Sequence, residues 1–544
     1  MLHLAGMGRT RHPAALAAAI LVLLTGVGGS CSPERHVEPT PDPAALEDPE
    51  LRLLVITDLD GYLEPCGCTS RPLGGIDRMS ARLQALRDEG VPSLLVMAGN
   101  VFFHGAPHGA DAARATDQEV MRAQTMRDII NDFEVAAVTP GPLDFAFGVD
   151  RFVSLVAETD SPMLAAGVQI EGTEEPVFAP SVTVEVSGIR VALVGLTQLE
   201  GEHGARPDRI TVDSVLEAGA SAIAEADADV VIALVEGDRR FARRVARIDG
   251  LDFVVHGGLD EAEAHSPASS DGAAILHAGR QGQGLLVADL RRGQDTWTDV
   301  SEWTREEERT HLQGRIESLE RRIAAWEADD TTEAADLAAQ RRRLASLRGE
   351  REALDTPPTV EGGYFRARYE ELPPEAPRDS AVSERMGALD RRVNDHNEEL
   401  FAEWTAEPAA EGAAHYVGSE RCGTCHASAA AWWRSHPHGR AYATLVDRHK
   451  NFNLSCVGCH VTGYLRPGGS TVTHVDNLQN VGCESCHGPG SMHIAHPSDA
   501  AVNVRRSPDE STCLGCHTPE HSDTFQFTAY RQTLLVPGHG RPAN

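Results

Sequence analysis

A chain of 544 residues with 41% hydrophobic content has room for two or three domains, and its formal charge of −32 argues against nucleic acid and anionic lipid as partners. That charge is uneven: from residue 417 onward there are 10 basic and 9 acidic side chains, so the remainder carries 39 against 72. The basic residues are Arg almost throughout. The 11 cysteines fall into three groups, Cys31 alone, Cys66 with Cys68, and eight between Cys422 and Cys516.

Residues 1–30 read as an export signal. Arg9 and Arg11 precede an apolar run from Ala14 to Val27, and Gly28-Gly29-Ser30 lead to Cys31. The run is too short for a comfortable membrane span. A Cys directly after small residues resembles the bacterial lipoprotein cleavage site, which implies a lipid on Cys31. Gly28 departs from that pattern, which usually has Leu or Val there, so plain signal cleavage is the alternative. Residues 32–50 (Ser-Pro-Glu-Arg, then Glu-Pro-Thr-Pro-Asp-Pro) read as a flexible tether.

Residues 51–300 alternate apolar strands with amphipathic helices, an α/β pattern. Strands are expected at Leu51–Thr57, Ser93–Ala98, Val135–Thr139, Met163–Ala166, Arg190–Gly195, Val230–Val235, Phe253–Val255, Ile275–Ala278 and Leu285–Leu290. Helices are expected over 76–89, 111–132, 212–225 and 239–248. Several strands end in polar or Gly-rich turns, where an α/β domain keeps its site: Asp58-Leu-Asp60-Gly, Gly99-Asn100, Pro140-Gly141-Pro142, Glu236-Gly-Asp238 and His256-Gly257-Gly258. In order and content these turns resemble the metallophosphatase domain of periplasmic 5′-nucleotidases and UDP-sugar hydrolases. Residue by residue the resemblance is damaged. Asp58 stands at the first metal-ligand position, but the following His is Asp60, and the bridging Asp is Asn100. The Asn-His pair is Pro142-Leu143, the fourth-motif His is Glu236, and the last motif reads His256-Gly257-Gly258-Leu259-Asp260. Two-ion hydrolysis needs ligands on both ions and a bridging carboxylate, so hydrolysis is expected to be lost. Asp58, Asp60, Glu236 and Asp260 are either the remnant of a hard-cation site or a solvated acidic rim.

Glu64-Pro65-Cys66-Gly67-Cys68 follows the first strand. Two cysteines one Gly apart can close a small, strained and easily reduced ring. With Pro72-Leu-Gly-Gly-Ile76 the motif resembles a branch of metallophosphatase-like proteins in which one Cys position can be selenocysteine, and that implies redox use. A static disulfide or two idle thiols is the plain alternative.

Residues 301–356 change character. Leu312, Ile316, Leu319, Ile323 and Trp326 repeat in steps of four and three; Asp329-Asp330-Thr331-Thr332 breaks the run and Leu337, Leu344, Leu347 and Leu354 resume it. This predicts a helical hairpin ended by Pro357-Pro358, a spacer or a dimerisation seam. Residues 357–412 read as a connector with a short strand at Tyr364–Tyr369 and a helix near 380–403.

Residues 413–544 carry Cys-x-x-Cys-His four times, at Cys422/Cys425/His426, Cys456/Cys459/His460, Cys483/Cys486/His487 and Cys513/Cys516/His517. Two thiols at this spacing add to the two vinyl groups of a haem, and the next His is the proximal iron ligand. Zinc knuckles pair Cys-x-x-Cys differently, and four copies with His directly after make zinc a poor competitor. The stretch also holds 13 of the chain's 24 histidines, leaving His415, His436, His438, His449, His474, His493, His496, His521 and His539 as candidate distal ligands. Apolar runs are short, so the porphyrins are expected to be the interior, with Trp432, Trp433, Tyr442 and Phe452 around them.

Pro437-His438-Gly-Arg-Ala-Tyr-Ala-Thr-Leu445, Cys459-His460-Val-Thr-Gly-Tyr464 and Val481-Gly-Cys-Glu-Ser-Cys-His-Gly-Pro-Gly-Ser-Met-His493 resemble the tetrahaem cytochrome c family of nitrifying bacteria. That resemblance implies electron transfer, with His438 and His493 as distal ligands and His539 behind them; one haem in the family can lack a distal ligand. The expected protein is thus an α/β metallophosphatase-like sandwich, a helical hairpin and a small, mostly α or irregular multihaem domain with four covalent haems c. It would be exported to the periplasm or cell envelope, exchange electrons with redox proteins there, touch the membrane only through a lipid anchor, and self-associate, if at all, through the hairpin. The alternatives are a working phosphoesterase or nucleotidase with haems, a haem oxidoreductase with an open iron, and a pure scaffold.

Overall fold

The computed structural model describes residues 48–544 apart from 66–69, 105–113, 174–176, 200–206, 259–271, 294–295, 329–332, 357, 361, 503, 519–520 and 542–544. The export signal with Cys31, the Cys66/Cys68 pair and Asp260 lie outside the described residues.

Three parallel strands open the chain: β1 (Leu51–Thr57), β2 (Ser93–Gly99) and β3 (Ala137–Pro140), connected through α1 (Ile76–Asp88) and α2 (Thr116–Asp132). Burial on both faces explains their unbroken apolar character. Leu54, Ile56, Leu95 and Met97 face the helices, while Leu53, Val55, Leu94 and Val96 face a second sheet. After α3 (Val149–Val156) the short β4 (Val168–Ile170) pairs with β7 (Ile210–Val212), and between them β5 (Ser181–Val186) and β6 (Ile189–Thr197) form an antiparallel edge pair. The second sheet runs β10-β9-β8-β6-β5, with β8 (Val230–Glu236), β9 (Phe253–Gly257) and β10 (Ala274–Leu276) parallel. Its outer face is covered by α4 (Val215–Ala224) and α5 (Arg239–Val245) through Ile223, Phe241, Ala242 and Val245. The result is a helix–sheet–sheet–helix sandwich.

Two details of the strand expectation change. Met163–Ala166 makes only isolated bridges, Met163 to Val138 and Leu164 to Ala179, because Gly167 at positive φ turns the chain away. The strand β5 was not expected: its Ser, Thr and Glu face solvent as an edge strand's do, so it shows no apolar run.

The larger correction concerns the end of the front domain, expected at residue 300. β11 (Gly284–Arg291) joins the first sheet beside β1, and β12 (Trp297–Asp299) leads into α6 (Glu302–Glu327) and α7 (Ala334–Ala353). The chain then returns as β13 (Gly363–Glu371), which inserts between β12 and β11 with Gly284 opposite Glu371 and Arg291 opposite Tyr364. The hairpin is therefore an insertion within the sheet, and residues 357–412 are not a mere connector. α8 (Ser380–Leu400) completes the outer layer, placing Val382, Leu389 and Val393 in the core over α1 and α2. Asp379 caps it by accepting from the backbone N–H of Ala381 and Val382.

The last domain is built of short helices: α9 (Ser419–Gly423), α10 (Ala427–Ser435), α11 (Ala441–Val446), α12 (Leu454–His460), α13 (Cys483–His487), α14 (Ser491–Ala495), α15 (Glu510–Leu514) and α16 (Phe527–Leu534). It docks on the front domain through a small apolar core in which Tyr442, Leu454, Val457 and Val461 meet Ala115 before α2 and Phe401 after α8. No helix among the described residues is long and apolar enough to cross a membrane.

Candidate haem centres and the front-domain pocket

Each Cys-x-x-Cys-His motif has at least its first half on a short helix, which sets the two sulfurs one turn apart. None of the eight motif cysteines is paired with another in a disulfide. Cys422 and Cys483 touch, and so do Cys459 and Cys516, so the first motif adjoins the third and the second adjoins the fourth. Cys425 lies two residues past the end of α9, held one turn from Cys422 by its N–H bond to the Cys422 carbonyl at 3.3 Å, and its sulfur accepts weakly from the Thr424 hydroxyl at 3.9 Å. A thioether requires reach to a vinyl group, which the helical turn supplies.

Three motif histidines face a second imidazole. His426 lies 6.4 Å from His493, His517 lies 6.2 Å from His438, and His487 lies 6.1 Å from His539, centre to centre. A metal–nitrogen bond of about 2 Å puts a ring centre roughly 3 Å from the metal, so an ion between two imidazoles holds them about 6 Å apart.

The second nitrogen of several rings is already engaged. Nδ1 of His460 bonds the Ala441 carbonyl at 2.7 Å, that of His487 the Arg505 carbonyl at 2.6 Å, and that of His539 the Leu534 carbonyl at 2.6 Å. His517 Nδ1 meets Ser522 Oγ at 3.0 Å. Such a bond fixes tautomer and ring plane and leaves the Nε2 lone pair for a metal. Burial, then His436 and His517, pushes His438 down to about 4, so its ring is neutral and able to ligate at pH 7. Trp432 stacks on His539 at 5.2 Å, and Trp433 donates to the Val481 carbonyl at 3.0 Å. Among the described residues His460 faces no second imidazole ring.

Glu484, inside the third motif, is a residue the sequence reading passed over. Buried, it accepts from the backbone N–H of Val417 (3.0 Å), Gly418 (2.7 Å) and Gly490 (2.7 Å), tying the first motif's approach to the third. The only available signal was a carboxylate between two haem-attaching cysteines.

In the front domain the strand ends of β1, β2, β3, β8 and β9 converge. Asp58 and Asp60 both adopt positive φ, 46° and 49°, which Asp tolerates better than most side chains. Both Asp58 oxygens accept from the Gly258 N–H at 3.0 Å, and a Cβ on Gly99 would stand 2.1 Å from Asp58 Oδ1, so only glycine fits there. Asn100 is committed to the Leu143 N–H at 2.8 Å. Asp144, unremarked in the sequence, is wholly buried and accepts from Phe102 (2.7 Å), Val101 (3.0 Å) and Gly141 (3.1 Å). Arg280 lies 3.6 Å from Asp60, and His256 Nε2 is bonded to the Gly237 carbonyl at 2.8 Å. Glu236 is 0% exposed, and neither of its carboxylate oxygens has a hydrogen-bond partner among the described residues.

These surroundings favour protons over charge. Burial, then Asp60 and Asp144, pushes Glu236 up to about 8; burial raises Asp144 to about 7, and burial followed by Glu236 raises Asp58 well above the carboxylate range. Among the described residues no group of three or more His, Cys, Asp or Glu is arranged to hold a metal ion. Among the described residues the arrangement is not that of a two-ion centre: both Asp58 oxygens and Asn100 Oδ1 accept from backbone N–H groups.

Comparison with known proteins bears first on the haem motifs. Residues 421–488 match the family of cytochrome c554 and c-prime. The match spans the first three motifs. Cytochrome c-554 of Nitrosomonas europaea is 36% identical over 93 residues, which is 14% of this chain and 40% of that protein's length. Residues 421–488 are thus similar to the multihaem cytochrome c554 family, and carry three copies of the motif by which haem c is attached. Of solved structures, the 5′-nucleotidase precursor of Thermus thermophilus is similar at 17% identity and a TM-score of 0.44, over 66% of this chain and 61% of that one. A sulfate thiohydrolase of Thermus thermophilus is similar at 13% identity and a TM-score of 0.42, over 64% and 61%. Within the c554-type segment the residues fit haem c: paired sulfurs on helical turns, imidazoles spaced for a shared metal, and Nε2 atoms left free by the bonds at Nδ1.

Proposed function

We propose that the chain is an exported electron-transfer protein: a four-haem domain carried on a metallophosphatase-like domain that no longer hydrolyses. The spacing of the three imidazole pairs supports this most strongly. In this reading His426 with His493, His487 with His539, and His517 with His438 would each hold the iron of one low-spin haem, attached at Cys422/Cys425, Cys483/Cys486 and Cys513/Cys516 respectively. The fourth haem, at Cys456/Cys459, has His460 alone. Haem c supplies reversible one-electron iron chemistry. The chain's own residues orient the imidazoles through carbonyl bonds and keep the attachment points adjacent, first to third and second to fourth, for transfer from one haem to the next.

Pyridine haemochrome analysis of protein matured in a competent host is expected to give four haems per chain; fewer would overturn the count. His493→Ala is expected to turn one haem high-spin with all four still attached, and an unchanged spectrum would remove His493 as a ligand. A second reading, a haem oxidoreductase, is favoured by the single imidazole at His460. Carbon monoxide is expected to bind one haem of the reduced protein, and no binding would leave a pure carrier.

The same proposal puts the protein in the periplasm or cell envelope, lipid-anchored through Cys31 and exchanging electrons with redox proteins there. Cys66 and Cys68 would then form a thiol pair trading electrons with the haem domain. Alkylation at controlled potential tests that: thiols unreactive across the haem potentials would make the pair structural.

A further inference from the structure

The second haem motif is the one planted in the front domain. Gln118 of α2 accepts from the Leu454 N–H at 3.1 Å and donates to Ser455 Oγ at 3.1 Å. Asn394 and Asn397 of α8 hold Phe452 through its N–H and carbonyl, both at 2.9 Å. Beside this seam sits a cluster of charges. Lys450, the single lysine of the chain, is 8% exposed, bonds both carboxylate oxygens of Glu64, and lies 3.6 Å from Asp390. Arg122 of α2 completes the cluster, 3.6 Å from buried Glu119, with Arg448 beyond Glu64. Cys456 lies within electrostatic range of Lys450, Glu64, Arg122 and Asp390.

Counted at the seam, three carboxylates (Glu64, Asp390, Glu119) share two enclosed cations (Lys450, Arg122). Burial opposes ionisation of Glu64, yet Lys450 on both its oxygens holds it below the usual carboxylate range. Glu119 takes Arg122. Asp390 is left with a share of Lys450 at longer range, and burial lifts it to about 6. A compact ammonium with three donors can bridge two carboxylates in this way, whereas a planar guanidinium commits its fork to one. Asp390 is the least supported of these carboxylates and lies in the seam beside the second haem motif, so the next negative charge to arrive there is best met by a proton on it.

We infer that Asp390, shared with Glu64 through Lys450, is a redox-linked proton site for the haem attached at Cys456 and Cys459. One electron from a donor converts ferric to ferrous iron, one proton from water converts the Asp390 carboxylate to the acid, and the charge of the seam is unchanged. Oxidation returns both. The front domain, which supplies Glu64, Arg122, Glu119 and Asp390, thereby sets the potential of a haem it does not attach. This rests on the haem assignment above.

Spectroelectrochemical titration of the full holoprotein from pH 5 to 9 tests it. One haem, the high-spin one, is expected to hold a constant potential below about pH 5 and to fall as pH rises above about 6, approaching about 59 mV per tenfold change in proton concentration. Asp390→Asn is expected to abolish that slope, with the potential at pH 8 raised to the low-pH value, and Asp390→Glu to restore a slope. Glu64→Gln is expected to move the window to lower pH, since Asp390 then has Lys450 to itself; a merely structural seam residue would move no window. A slope that persists in Asp390→Asn, or none in the parent protein, overturns the inference. Fewer than four haems, or no high-spin component, overturns instead the haem assignment it rests on.

Discussion

Glu236 is a carboxyl buried without a donor among the described residues. At the end of β8, with no exposed surface and no donor to either oxygen among the described residues, its carboxyl is pushed up to about 8. The sign of the linkage follows. Between the unfolded value near 4.5 and the folded value of about 8 the folded protein holds a proton that the unfolded chain releases. Its contribution is fully present below about pH 4.5 and is lost as pH rises through about 8, at about 1.4 kcal/mol for each pH unit crossed between the two values. Glu236→Gln, neutral in both states, is expected to raise the thermal midpoint at pH 8.5 and change it little at pH 4.5. A variant that is less stable at pH 8.5 would mean that Glu236 is ionised and held by a cation. Glu484 is buried too, but its oxygens accept from the backbone N–H groups of Val417, Gly418 and Gly490.

Among the elements, the hairpin turns its apolar stripe inward. Leu312, Ile316, Leu319 and Ile323 of α6 close on Leu347 of α7, with Leu337, Leu344 and Leu354 against them, in a cluster containing no residue from elsewhere. Arg341–Glu327 and Arg348–Glu320, both 2.6 Å, lace its exposed flank and contribute little stability. Among the described residues, none of the exposed large apolar side chains, Leu400, Val446, Leu514 and Tyr530, lies on it. The hairpin's work in the fold is to cross from β12 to β13, which run parallel and so require a crossover. Replacing residues 305–354 by a Gly/Ser loop of about ten residues is expected to leave haem content and oligomeric state unchanged, as measured by absorbance per chain and light scattering. A drop in mass from dimer to monomer would instead make the hairpin an intermolecular seam.

At the scale of the molecule, the front domain keeps the sandwich and the converging strand ends but directs its polar groups at its own backbone. The full holoprotein is expected to show only background turnover of a nitrophenyl phosphate with Mn²⁺ or Zn²⁺, since one lost acid/base group alone costs roughly a hundred- to ten-thousandfold. Metal-dependent turnover abolished by Asp58→Ala would show that these carboxylates rearrange to hold ions. What the front domain offers the haem domain is a rigid seat. Gln118, Asn394 and Asn397 grip the second motif, and Ser70 grips Asp523 near the fourth at 2.9–3.0 Å.

Covalent attachment chemistry is local, so the four Cys-x-x-Cys-His motifs were legible in the sequence without a fold. So were β1, β2 and β8, whose unbroken apolar runs follow from burial on both faces, and the hairpin, whose period is set by the helix. Partnership and exposure are not local. Which histidine faces which motif depends on chain segments 52 to 79 positions apart meeting in space, from His487 with His539 to His438 with His517, and spacing along the sequence carries no trace of it. Nor does the motif tell that Cys425 is exposed while Cys422, one turn away, is half-buried against Cys483. The same reason hid the place of β13: a strand was expected at Tyr364–Tyr369, but not its pairing with β11 across the whole hairpin insertion. It also hid the meaning of the chain's one lysine, plain in the composition, which emerged only where Lys450 is enclosed between Glu64 and Asp390. Residue type fixes which bonds a side chain can make; tertiary burial decides which of those bonds are left for it to make.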